Sequence, residues 1–160
     1  MPIAPPPPEP ITRWGGGHQN GQLWLKATGV ALAGQGLAIV GASGTGKSGL
    51  AIQLISLGAN LIADDALWLD PTQDPALLRR PDQSPDLIEA RGIGLINAGQ
   101  VEPSAPLRLI VDLDRPEIDR LPPRRLVAIG NGQCPLILGA GNPTLAASLI
   151  LLLRNGRADI

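Results

Sequence analysis

The octapeptide Gly41-Ala42-Ser43-Gly44-Thr45-Gly46-Lys47-Ser48 constrains this chain more than any other stretch. It satisfies G-x-x-x-x-G-K-[ST] in full. It lies between a short apolar run, Leu37-Ala38-Ile39-Val40, and a segment over 48–57 with apolar residues at 50, 52, 54, 55 and 57. The expected unit is therefore strand, glycine loop, helix. The glycines let the backbone curl until several N–H groups face one anion, and the helix N-terminus adds partial positive charge. Lys47 brings a point charge to the β- and γ-phosphates, and Ser48 offers a hydroxyl oxygen to a phosphate-bound Mg2+. A dinucleotide-binding turn is the competing reading, with Asp64 near the place of a ribose-binding acid. The spacing here is G-x-x-G-x-G rather than G-x-G-x-x-G, and such a turn has no use for Lys47-Ser48. The sequence points to a P-loop that binds ATP.

Around this unit the pattern is that of one α/β domain. Leu23, Leu25 and Ala27 alternate with Trp24 and Lys26, which predicts a strand, followed by a Thr28-Gly29 turn and a returning strand over 30–32. Gly58 suits a helix C-cap, and Leu61-Ile62-Ala63 reads as a buried strand running into Asp64-Asp65. Four prolines over 71–85 predict a surface loop. Further strands are expected at 107–113, 126–129 and 136–138, with a short apolar segment at 93–96, a polar turn over 116–125 and a final helix over 144–154 that opens at Pro143. Residues 1–20, with Pro5-Pro6-Pro7-Pro8 and Gly15-Gly16-Gly17, predict a flexible tail before a kinase domain at 21–160.

Composition narrows the partners. There is no Phe or Tyr and only three Trp, so the core must be aliphatic and no aromatic platform for single-stranded nucleic acid is expected. A net charge of −1 gives no field to steer the chain to nucleic acid or an acidic membrane. Cys134 is the sole cysteine, which rules out an internal disulfide. The N-terminus does not read as a signal peptide, and the apolar run over 145–153 is too short to span a bilayer, so a cytoplasmic protein is expected.

Two acidic pairs compete for the catalytic role. Asp64 and Asp65 end the strand after the P-loop helix, where one could hold Mg2+ water and the other accept a proton from an incoming hydroxyl. Adjacent strand residues point to opposite faces, and a solvated strand end would look the same. Asp112 and Asp114, around the late apolar run Leu109-Ile110-Val111, offer a competing Walker-B-like reading, and the local pattern alone does not rank the two pairs.

Three segments together resemble the catalytic C-terminal domain of the HPr kinase/phosphorylase family, in its short form. They are the P-loop, Leu61-Ile62-Ala63-Asp64-Asp65, and Ile88-Glu89-Ala90-Arg91-Gly92-Ile93-Gly94-Leu95-Ile96-Asn97, the last matching E-x-R-G-[IL]-G-[IL]-I. Asp119-Arg120-Leu121-Pro122 and the stretch over 135–154 extend the likeness to about residues 26–154. The resemblance implies a mixed-sheet α/β fold related to phosphoenolpyruvate carboxykinase, and a hexamer. It also implies use of ATP and Mg2+ to phosphorylate a serine on an HPr-like phosphocarrier of the phosphotransferase system, with a reverse reaction that uses inorganic phosphate.

By the same resemblance Asp64 is the catalytic base and Asp65 its partner in the metal and phosphate network. Ser48 and Glu89 stand near the metal, Arg91 shapes the site, and Arg120 steadies the phosphoryl group from a mobile loop. The chain departs from the family at Lys26, where a histidine is usual, and at Gly49, where an acid is common. A P-loop kinase for another substrate, or a nucleotide-binding regulator with reduced catalysis, are the alternative readings.

Overall fold

The apolar run before the P-loop is the inner strand β5 (Gln35–Val40), buried at every position after Gln35. Such a strand needs cover on both faces. The computed structural model describes residues 4–158 and supplies that cover as three layers. The central mixed sheet places β4 (Ala27–Leu32) antiparallel to β5 on one side, with β6 (Asn60–Ala63) beyond it. On the other side β11 (Ser104–Asp112) runs parallel to β5, followed by β13 (Gly132–Leu138), β12 (Arg125–Ile129) and β1 (Glu9–Pro10). The second layer is an antiparallel sheet of β2 (Gly15–Gln19), β3 (Gln22–Leu25), β7 (Leu67–Asp70) and β8 (Leu77–Arg79). It joins the first through β11, whose opening residues Ser104, Ala105 and Pro106 pair with β8. The third layer is α1 (Lys47–Ser56) with α2 (Leu145–Asn155). A hairpin of β9 (Leu87–Ala90) and β10 (Gly94–Asn97) stands apart from both sheets.

Period-two alternation in the central sheet builds two aliphatic cores. Leu37 and Ile39 of β5 belong with Leu50, Leu54, Leu149 and Leu153 of the helices, whereas Ala38 and Val40 belong with Leu25, Leu67, Leu69 and Leu78 of the second sheet. Each fully buried leucine contributes about 1.5–3 kcal/mol relative to exposure. Close approach of the sheets depends on Gly29, where a Cβ would come within 2.8 Å of Leu67 Cδ1. No helix among the described residues is long and apolar enough to cross a membrane.

The structure departs from the sequence reading in four places. Thr28-Gly29 is no turn, because β4 runs unbroken and fully buried from Ala27 to Leu32. The expected loop over 71–85 contains β8; Pro71, Pro75, Pro81 and Pro85 flank that strand rather than interrupt it, and Leu78 is fully buried. Pro143 lies outside α2, which is preceded by Thr144. Residues 1–3 of the expected tail lie outside the described residues, but from Glu9 to Gln19 the segment carries β1 and β2. Ile11 is buried, and Glu9 accepts hydrogen bonds at 2.9 Å from both Arg13 and Arg115. An ion pair and a buried apolar side chain outweigh the flexibility that the prolines and glycines suggest.

Two tests follow from this packing. Removing residues 1–13 deletes β1, Ile11 and the Glu9–Arg115 bridge, and should cost about 1–2 kcal/mol, roughly 2–8 °C in melting temperature. Removing residues 1–8 alone should leave the midpoint within about 1 °C; equal midpoints for both truncations would contradict the docking of this segment. Burial in the core between the sheets pushes the Cys134 thiol up to about 12. It should therefore resist a disulfide-exchange reagent near about pH 8 in the folded protein and react in urea. Because the folded thiol holds its proton above the ordinary thiol range, its contribution to stability is complete below about pH 9 and is lost as pH rises toward 12.

Candidate active site

The P-loop leaves β5 at Gly41 and enters α1 at Lys47, and its turn depends on Gly44 (φ 85°) and Gly46 (φ 99°), where an L side chain is strained. The start of α1 has neither a side-chain cap nor an acid in its first turn, so its backbone N–H groups and positive end stay available to an anion. Lys47 is buried to 9% exposure, and its Nζ donates to the carbonyls of Gly41 at 2.8 Å and Ala42 at 3.2 Å. Thr45 Oγ1 also donates to Ala42 O, and Ala42 N–H donates to Asp114 Oδ1 at 2.9 Å.

The acids come from the next parallel strand over. β5, α1 and β6 form a crossover that steps past β4, so the ends of β5 and β6 lie at the same edge of the sheet. Asp64 Oδ1 accepts a hydrogen bond from Thr28 Oγ1 at 2.9 Å, and Ser48 Oγ lies 2.9 and 3.1 Å from its two oxygens. Thr28, fully buried on β4, also accepts from the Asp65 N–H at 3.3 Å. Asp65 has φ 68°, so the chain leaves the strand there and the usual opposition of neighbouring side chains no longer holds. Asp64 and Asp65 line one cleft of about 460 Å3 with Ser43, Gly44, Gly46, Lys47, Ser48, Glu89 and Arg91. The last two reach it from the hairpin, where Ile88 and Ala90 turn inward and Glu89 is exposed.

This geometry ranks the two acidic pairs. Asp112 is buried and spent on structure: Oδ1 accepts from Asp114 N–H at 2.8 Å and Oδ2 from Arg115 Nε at 2.7 Å. Asp114 holds the P-loop from outside, through Ala42. Arg120 is not brought to the P-loop cleft. It lines a separate cavity with Glu117, Asp119 and Arg157, because the loop after β11 runs toward β13 and the start of α2. In that cavity's wall the Arg125 guanidinium holds the Glu117 carboxyl below its ordinary range. The sequence reading missed Thr28, whose signal was a hydroxyl inside the apolar run 27–32.

Residues 22–126, more than half of the chain, match the HPr Serine kinase C-terminal domain family. The chain belongs to that family. Similar proteins within the HPr kinase/phosphorylases include that of Azoarcus sp. (strain BH72), 37% identical over 117 residues, covering 69% of this chain and 37% of that protein. That of Polaromonas naphthalenivorans (strain CJ2) is 46% identical over 67 residues, 41% of this chain and 21% of that protein. The chain thus spans well under half the length of the curated relatives it matches. Among solved structures, the Hpr(Ser) kinase/phosphatase from Coxiella burnetii superposes with a TM-score of 0.69 at 26% identity, over 82% of this chain and 88% of that one. The family match and this superposition agree with the α/β fold of mixed sheet and C-terminal helix expected from the sequence.

Within this HPr Serine kinase C-terminal domain, Thr28 joins β4 to both aspartates. Thr28→Val keeps the shape but orphans the Asp65 N–H, and should lower unfolding free energy by about 1–3 kcal/mol; Thr28→Ser should recover most of it. Urea denaturation of the three proteins measures this, and equal stabilities for Val and Thr would remove the hydroxyl's role.

Proposed function

We propose that this chain is an ATP- and Mg2+-dependent serine kinase acting on an HPr-like phosphocarrier protein of the phosphotransferase system. One observation carries the reading: the Asp64 carboxylate is held by Thr28 and Ser48 inside the same cleft as the P-loop lysine. Family membership supports HPr as the acceptor, and the relatives' names pair kinase with phosphorylase or phosphatase activity, so the same site is proposed to act in reverse.

The donor set fits the cofactor. Among the described residues no three of His, Cys, Asp or Glu stand close enough to hold a metal by themselves. Mg2+ is commonly held by one or two carboxylates together with substrate phosphates, and Ser48, Asp64 and Glu89 are the oxygen donors at hand. Mg2+ bound with the nucleotide would neutralise charge on the β- and γ-phosphates. The chain's own groups do the rest. Backbone amides at the start of α1 and the Lys47 ammonium orient the triphosphate. Asp64 takes the proton from the acceptor serine as the serine oxygen bonds to the γ-phosphorus, and the bond from that phosphorus to the β–γ bridging oxygen breaks to release ADP. Asp65 and Arg91, in the same cleft, are assigned to orienting the phosphoryl group.

Incubation with HPr, Mg2+ and radiolabelled ATP tests the proposal directly. Labelled HPr is expected; label on another acceptor, or nucleotide binding without transfer, would sink it. Asp64→Asn should retain ATP binding and lose transfer by about 10²–10⁴-fold, whereas Lys47→Ala should weaken both. Near-normal transfer by the Asp64→Asn protein would remove the base assignment.

A further inference from the structure

A second cleft, about 490 Å3 in volume, opens beside the first glycine of the P-loop. Its walls include Arg13, Trp14, Trp24, Lys26, Gly41 and Asp114. The whole chain has only three aromatic side chains, and two of them meet here. Each indole is anchored yet half-exposed: Trp24 meets Trp68 edge to face with centroids 4.6 Å apart, and Trp14 packs against the core between the sheets. Half-exposed indoles offer rigid apolar surface at little entropic cost.

The charges of the cleft are unequally committed. Arg13 is paired with Glu9 at 2.9 Å, and Asp114 Oδ1 is engaged by the Ala42 N–H. Lys26 is exposed; its backbone N–H donates to Trp14 O at 3.4 Å, but its ammonium makes no hydrogen bond or ion pair with the described residues. It is the cation left to meet an incoming negative group.

The P-loop tells which end of the nucleotide this cleft adjoins. Its lysine serves the β- and γ-phosphates, and here the Lys47 ammonium lies 2.8 Å from Gly41 O. The terminal phosphate therefore belongs at the Gly41 end, and the nucleoside, at the far end of the triphosphate, lies away from it. A cleft that shares Gly41 with the P-loop faces the acceptor side of the reaction.

We infer that this cleft seats the segment of the acceptor protein flanking the reacting serine, with an apolar side chain against Trp14 and Trp24 and a negatively charged group at Lys26. The inference rests on the kinase reading above. Steady-state phosphorylation of HPr by the full chain tests it, varying HPr at saturating ATP and ATP at saturating HPr, for the unaltered protein, Lys26→Glu and Trp14→Ala. The KM for HPr should rise about tenfold in each variant, with the KM for ATP within about twofold. Lys26→Glu alters a side chain without partners among the described residues, so it carries the test even if Trp14→Ala folds poorly. An unchanged KM for HPr in Lys26→Glu overturns the inference alone. A rise in the KM for ATP instead gives the cleft to the nucleoside and also overturns it. Absence of transfer by the unaltered protein overturns both the inference and the kinase reading.

Discussion

The Asp64 carboxylate, bonded to a hydroxyl from β4 and another from α1, is the point on which this structure turns. Strand order makes that bond necessary. In the sequence β5–α1–β6 the P-loop and the acids look adjacent, but β4 lies between their strands in the sheet. A carboxylate one strand further away needs support from the intervening strand to stay aimed at the P-loop. Thr28 supplies it from a fully buried position on β4, itself fixed by its pairing with β5 and lying next to the end of β6. Rigid elements of this kind hold catalytic geometry better than loops do.

Asp65 bears the strain that this arrangement requires. A non-glycine residue in the left-handed region costs about 1–2 kcal/mol, and at φ 68° Asp65 sits there at the mouth of a cleft. Had the chain continued as a strand, the two carboxylates would have faced opposite sides of the sheet. The left-handed step breaks that alternation, and the hydrogen bond from the Asp65 N–H to Thr28 offsets part of its cost. One threonine thus holds both the position of the first aspartate and the backbone of the second.

What could be read from the sequence was what local chemistry decides. The P-loop, its strand and its helix followed from glycine spacing and apolar periodicity, because those signals act within a dozen residues. Asp64 and Asp112 look alike at that range; both end apolar strands. Only the tertiary contacts separate them, since Arg115 and the Asp114 N–H claim Asp112. The Thr28-Gly29 pair carries turn propensity, yet burial between two strands overrides it. β8 hid among prolines for the same reason, and Arg120 was assigned by likeness of a loop, the kind of segment whose path sequence constrains least.

The donors and acceptors of the cleft fit the proposed binding of an anion and a cation together. An ammonium has three protons, and Lys47 gives two of them to Gly41 O and Ala42 O, which fixes the side chain and leaves one for a phosphate oxygen. The Ser48 hydroxyl donates its single proton to Asp64, so its lone pairs remain for a metal. Gly49 adds no carboxylate at the helix start, so the negative charge in the site comes from Asp64, Asp65 and Glu89 against Lys47 and Arg91. Three carboxylates against two cations leave the cleft close to neutral. Such a site gains most by taking phosphate and divalent metal as one package, because either alone would leave an uncompensated charge against a low-dielectric wall.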